Sequence, residues 1–154
     1  MAVAASSCLV SPAWAVAEDT TPAPLADVSV SHGRPFDTSL AVQSDGSWKV
    51  RHLDPRDRPF IWDEGRLSTL QRSALATYIQ AFREKEAALP FRPTEGCISE
   101  YQLTDGKPGE STALKGCLDK DKMNPDLPNF NAAVTLLLKA TTFDDPSVEP
   151  PLTY

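Results

Sequence analysis

Two cysteines close the stretch Gly96–Cys117, GCISEYQLTDGKPGESTALKGC, and a Gly/Pro-rich reversal, DGKPG, lies near its middle. Apolar positions on either side of such a reversal mark two antiparallel strands, CISEYQLT and STALKGCL. A disulfide between Cys97 and Cys117 closes a loop of about 20 residues. In the chain-entropy picture that is worth roughly 3 kcal/mol. Side-chain alternation adds a condition. Pairing Tyr101 with Leu114 gathers Tyr101, Leu103, Cys97, Leu114 and Leu118 on one face and turns Cys117 to the other. Both demands are met if a β-bulge lies between the two pairs, predicted at Gly116 or at Ser99-Glu100.

The competing uses of two cysteines fare worse. Structural zinc takes four ligands, normally delivered as close pairs. Here His32, His52 and the widely spaced cysteines form no such pair, so no metal ligands and no cofactor are expected. A catalytic cysteine needs a histidine to lower its pKa, and a disulfide removes the thiolate altogether. No serine lies in a G-x-S-x-G context, and Asp105–Gly109 lacks the phosphate-cradling pattern. Carboxylate pairs such as Asp63-Glu64 are adjacent and solvated. No catalytic residue is assigned.

The N-terminal run MAVAASSCLVSPAWAVAEDTTPAP has no charged side chain before Glu18. Two small-x-small patterns after Pro12 resemble the end of a signal peptide, with cleavage after Ala15 or Ala17, although a basic n-region is missing. Residues 1–17 are therefore expected to direct export, to a secreted or cell-envelope location. Their removal deletes Cys8 and leaves an even pair of cysteines, the count that favours a disulfide in an oxidising compartment. The run is shorter than the roughly 20 apolar residues that a membrane span needs.

A chain of 154 residues that is 41% hydrophobic and 23% charged fits one domain with tails. Net charge is −6 and no Lys/Arg block exceeds two residues, so no basic face is available for nucleic acid. Eight of the fourteen prolines fall between Pro22 and Pro35, between Pro55 and Pro59, or after Asp144. Residues 18–36 read as a flexible Pro-rich lead-in and 141–154 as an acidic Pro-rich tail, leaving 37–140 as the domain.

Inside that domain, TSLAVQ and SWKVRHL are joined by Ser44-Asp45-Gly46. A three-residue loop with Gly46 in the left-handed position puts Leu40, Val42, Trp48 and Val50 on one face. The segment Asp54–Arg66 is irregular or an edge strand, because its prolines cannot donate to a ladder. Ser68 and Gln71 form a capping box for a helix whose apolar stripe is Leu75, Tyr78, Ile79 and Phe82. A second helix, PNFNAAVTLLLKA, buries Phe130, Val134, Leu137 and Leu138. The order ββαββα predicts an α+β fold: a two-layer sandwich, with an antiparallel sheet of two hairpins, two helices on one face and one disulfide.

Trp48 is predicted as a core anchor. Phe60, Ile61 and Trp62, an apolar triplet between charged, proline-bearing flanks, are the candidate partner-binding residues.

The succession GRLSTLQRSALATYIQAF, CISEYQLTDG, a second cysteine-bearing strand and PNFNAAVTLLL resembles small exported actinobacterial-type proteins of unknown function. Those share the G-x-L-S-x-x-Q helix start and the Cys…Tyr-x-Leu strand. In element order it is also similar to the emfourin-type inhibitors of thermolysin-like metallopeptidases, which place a hairpin before an L-x-x-x-Q helix and an x-Y-x-L-T strand after it. The resemblance spans residues 37–140. The chain departs from the inhibitors in its cysteine pair, its Asp54–Asp63 segment and its tails, and no inhibitory contact residue maps onto it. A small, disulfide-bearing α+β fold with no catalytic constellation reads as a secreted or cell-envelope, non-enzymatic binding domain with a protein partner, and the resemblance raises peptidase inhibition above other binding roles. The alternatives from other classes are a structural or accessory envelope protein and a small hydrolase with an unrecognised site.

Overall fold

A computed structural model describes residues 24–30, 38–53, 56–90, 95–106 and 113–143. Residues 1–17 with Ala15 and Ala17, the centre of the DGKPG loop and the tail beyond Phe143 lie outside the described residues.

The turn at Ser44-Asp45-Gly46 joins β2 (Thr38–Gln43) to β3 (Ser47–Leu53). Gly46 takes φ 88°, and its N–H donates to the Gln43 carbonyl at 2.9 Å. Glycine adopts that conformation without a Cβ penalty. The turn sets the register Leu40↔Val50 and Val42↔Trp48, and all four residues are buried, as the face argument requires. Asp45 Oδ1 accepts from Ser47 Oγ at 2.7 Å and from Ser47 N at 2.9 Å, which locks the turn.

Two strands lie outside the expected pair of hairpins, one unforeseen and one that takes the edge-strand reading of Asp54–Arg66. β1 (Pro24–Val30) lies within the stretch expected to be a flexible lead-in, and it is central. The sheet order is β4-β3-β2-β1-β5-β6, where β4 is Pro59–Arg66, β5 is Glu100–Thr104 and β6 is Ala113–Cys117. Backbone pairing draws β1 in from both sides: Val28 stands opposite Leu40 on β2 and opposite Leu103 on β5, each time antiparallel. From Asp27 to Val30 the strand is paired on both edges, and these ladder bonds outweigh the weak local preference of a proline-flanked segment. β4 is an edge strand that starts with Pro59, where a missing N–H costs no ladder bond. The described order is thus ββββαββα rather than ββαββα.

Helix α1 (Thr69–Lys85) starts with the predicted capping box. Ser68 Oγ accepts from Gln71 N at 3.1 Å, and Gln71 Oε1 accepts from Ser68 N at 2.9 Å. Leu75, Ile79 and Phe82 are buried and Tyr78 is half-buried. Helix α2 (Pro128–Ala140) buries Phe130, Ala133, Val134 and Leu137, with Leu138 half-buried beside them. These side chains and the alternate, inward positions of the strands form one cluster. Each large apolar side chain so buried contributes roughly 1.5–3 kcal/mol before conformational entropy is counted. The intervening strand positions Lys49, Arg51, Glu64, Arg66 and Lys115 are exposed.

α2 begins with Pro128 and has no side-chain cap of its own. Glu86, 2% exposed just after α1, supplies it. Its Oε1 accepts from Asn129 N at 2.7 Å and Asn129 Nδ2 at 2.9 Å, and its Oε2 accepts from Phe130 N at 2.8 Å. A carboxylate at a helix N-terminus satisfies orphan amides and meets the positive end of the dipole. Arg83 Nε donates to the buried Asp105 Oδ2 at 2.6 Å, which ties α1 to the end of β5.

The β5–β6 hairpin corrects the predicted bulge. Its register runs without a shift: Glu100↔Cys117, Tyr101↔Gly116, Leu103↔Leu114. Gly116, not Leu114, stands opposite Tyr101, and the missing side chain makes room for Phe130 of α2. Cys97 precedes β5, so strand alternation does not govern it, and the conflict that called for a bulge vanishes. The stretch expected as tail also contributes to the core, since Phe143 is 7% exposed and packs in the main cluster.

Candidate functional site

The three residues expected at a binding surface lie on β4, at the edge of the sheet. Strand pairing sets His52 opposite Phe60, Arg51 opposite Ile61 and Val50 opposite Asp63, so the register shifts by one residue and leaves Trp62 without an opposite. This is a β-bulge, and bulges at sheet edges re-aim side chains. Trp62 packs half-buried against the core cluster. Its ring meets the His52 imidazole edge-on, with centroids 5.1 Å apart and planes at 87°. Phe60 completes the group, 5.9 Å from His52 and 6.3 Å from Trp62. Such offset and T-shaped pairs favour the quadrupoles of both rings.

The apolar triplet is therefore divided. Phe60 and Trp62 are half-buried around His52, whereas Ile61 is 50% exposed opposite the exposed Arg51. The ledge is braced from two sides. Thr38 Oγ1 bonds His52 Nδ1 at 2.8 Å from β2, and Asp63 Oδ2 accepts from Thr142 Oγ1 at 2.6 Å, which fastens the segment after α2 to the edge strand. Burial holds the His52 imidazole below its ordinary pKa, so the ring is neutral at pH 7. Sequence reasoning gave His52 no role. The signal that could have placed it is its position two residues after Val50, on the inward face of β3.

The second grouping surrounds the disulfide. Cys97 and Cys117 are bonded, with Cα atoms 6.1 Å apart. Asp119 lies beside them: its Oδ2 accepts from Ile98 N at 2.7 Å and its Oδ1 from Ser99 N at 3.1 Å. The bond from Ile98 is the main cause that holds this carboxyl below the usual aspartate range. Lys122 Nζ donates to the Gly96 carbonyl and closes the same corner.

An open groove of about 400 Å³ runs over the outer side of the helix pair, lined by Tyr78, Asn131, Ala132, Thr135, Leu136 and Lys139. Tyr78 comes from α1 and the other five residues from α2.

No protein-family model matches the chain, and none of the curated proteins matches it. No helix among the described residues is long and apolar enough to cross a membrane.

Proposed function

We propose that this chain is a secreted or cell-envelope, non-enzymatic binding domain, with both helices covering one face of the sheet and the edge strand β4 meeting a protein partner. The observation that carries the reading is Ile61, half-exposed on an edge strand whose bulge fixes Trp62 and Phe60 beside it. A large aliphatic side chain on a rigid strand, flanked by aromatic rings and charged residues, has the makeup of an interface anchor. The disulfide supports export, since such bonds persist in oxidising compartments. Peptidase inhibition is the most concrete version, drawn from the similarity in element order to emfourin-type inhibitors.

The test is incubation of the purified protein with thermolysin-like and subtilisin-like peptidases, with gel filtration to detect a complex. Inhibition that Ile61→Asp abolishes, with the melting temperature unchanged, supports the reading. Absence of both inhibition and complex at micromolar protein overturns the inhibitor version.

A further inference from the structure

The spacing rule that argues against zinc looks only along the sequence, and folding adds a ligand it does not count. The Sγ atoms of Cys97 and Cys117 and a carboxylate oxygen of Asp119 all lie within 4.8 Å of one another. A tetrahedral ion bonded to sulfur at about 2.3 Å and to oxygen at about 2.0–2.2 Å needs its ligand atoms roughly 3.3–3.8 Å apart. Small side-chain rotations reach that spacing once the sulfurs are not bonded to each other. The Cα separation of 6.1 Å lets two thiolates share one ion without moving the backbone.

Asp119 is already oriented for the task. Two backbone N–H groups, from the segment that carries Cys97, each hold one of its oxygens, and the Ser99 side chain is a further donor to the carboxylate. Cys117 is buried, whereas Cys97 and Asp119 are half-exposed, so a fourth position opens to solvent water.

We propose that the dithiol form of this chain binds one thiophilic divalent cation of the zinc type through Cys97, Cys117 and Asp119. The same corner of the fold is then closed by a disulfide or by a metal ion, never by both. Entry to the dithiol state takes two electrons. A water-soluble phosphine attacks the S–S bond, takes an oxygen atom from water to become the phosphine oxide, and leaves two thiols. The cation displaces the two thiol protons to the buffer. While it is bound, the thiolates are withheld from oxidation.

The experiment uses the full chain in a Cys8→Ser background, so that only the pair supplies thiolate, reduced with a phosphine and then desalted without air. Cobalt(II) is titrated in as the probe. The expected result is a thiolate-to-cobalt charge-transfer absorption that saturates at one equivalent, is bleached by zinc, and does not arise in the oxidised chain. Asp119→Asn should weaken cobalt binding by about tenfold or more. Circular dichroism follows folding: a reduced chain that regains structure at one equivalent of metal also supports the site. The thermal stability of oxidised Asp119→Asn measures separately the cost of exchanging one of the two accepting oxygens for an NH₂ group. No charge-transfer band in the reduced chain, one metal ion per two chains, or equal affinity in Asp119→Asn each overturns the proposal.

Discussion

The Glu86 carboxylate accepts the backbone N–H of Phe130 at 2.8 Å, so a residue that follows α1 caps the start of α2 from 44 positions away. The same group accepts both nitrogens of Asn129, and it is buried. One side chain thus joins the two helices and satisfies the end that Pro128 leaves without a cap of its own.

Removing that acceptor should be expensive. Glu86→Ala strands three donors, the buried Phe130 N–H and two half-buried ones on Asn129, and a loss of about 2–4 kcal/mol is expected in urea unfolding. Glu86→Gln keeps one acceptor but turns an NH₂ toward an N–H, so it should lose about 1–2 kcal/mol. A Glu86→Gln protein within experimental error of the wild type would show that the carboxylate is not what fastens the helices.

The disulfide should behave as a staple on the unfolded chain. Its sequence separation of 20 residues implies roughly 3 kcal/mol. Cys117→Ser should lower the melting temperature on the order of 10 °C, while the partner binding proposed for Ile61, on β4, should persist. Two free thiols titrated in protein purified without reductant would remove the basis of this expectation.

What could be read from the sequence was local. The Gly46 turn and the Ser68/Gln71 box each depend on side chains within three or four positions, and both are present as expected. The strand β1 was missed because Ala26, Val28 and Val30 alternate over a short span set among prolines. Its place between β2 and β5 comes from ladders to residues far along the chain. The Glu86 cap, the Trp62 bulge and the approach of Asp119 to the cysteines are likewise tertiary. The bulge predicted at Gly116 or Ser99-Glu100 is not there, because it rested on Cys97 belonging to a strand that begins only at Glu100.

Gly116 is required by packing rather than by backbone conformation. A Cβ built there would stand 2.9 Å from Phe130 Cδ1 and overlap the neighbouring ring atom. Gly116→Ala should therefore destabilise by about 1–3 kcal/mol. Combined with Phe130→Leu, which shortens the opposing side chain, the two costs should be less than additive by at least about 0.5 kcal/mol. A Cβ at Gly65 would lie 2.5 Å from Trp48 Cζ2, so Gly65→Ala should show the same class of penalty on the other side of the core. An unaltered melting temperature for both alanine variants would contradict the close packing of ring against backbone.

The aromatic ledge should make stability depend on pH through His52. Burial lowers its pKa in the folded chain below the ordinary 6.5, so the unfolded chain binds the proton more tightly. Stability from this group is full above 6.5 and falls as pH drops through 6.5 toward the lower folded value. Asp45 and Asp119 act in a separate window. Hydrogen bonds, chiefly from Ser47 Oγ and from Ile98 N respectively, hold both carboxyls below 3.8, and their contribution fades only as pH falls below that value. Urea unfolding between about pH 7.5 and pH 5 should show wild-type stability decreasing on acidification, with a shallower decline in His52→Phe, which keeps a ring against Phe60 and Trp62. The NMR titration of His52 should give a midpoint below 6.5. A midpoint at or above it, or identical pH slopes for the two proteins, would mean that the ledge does not keep the imidazole dry.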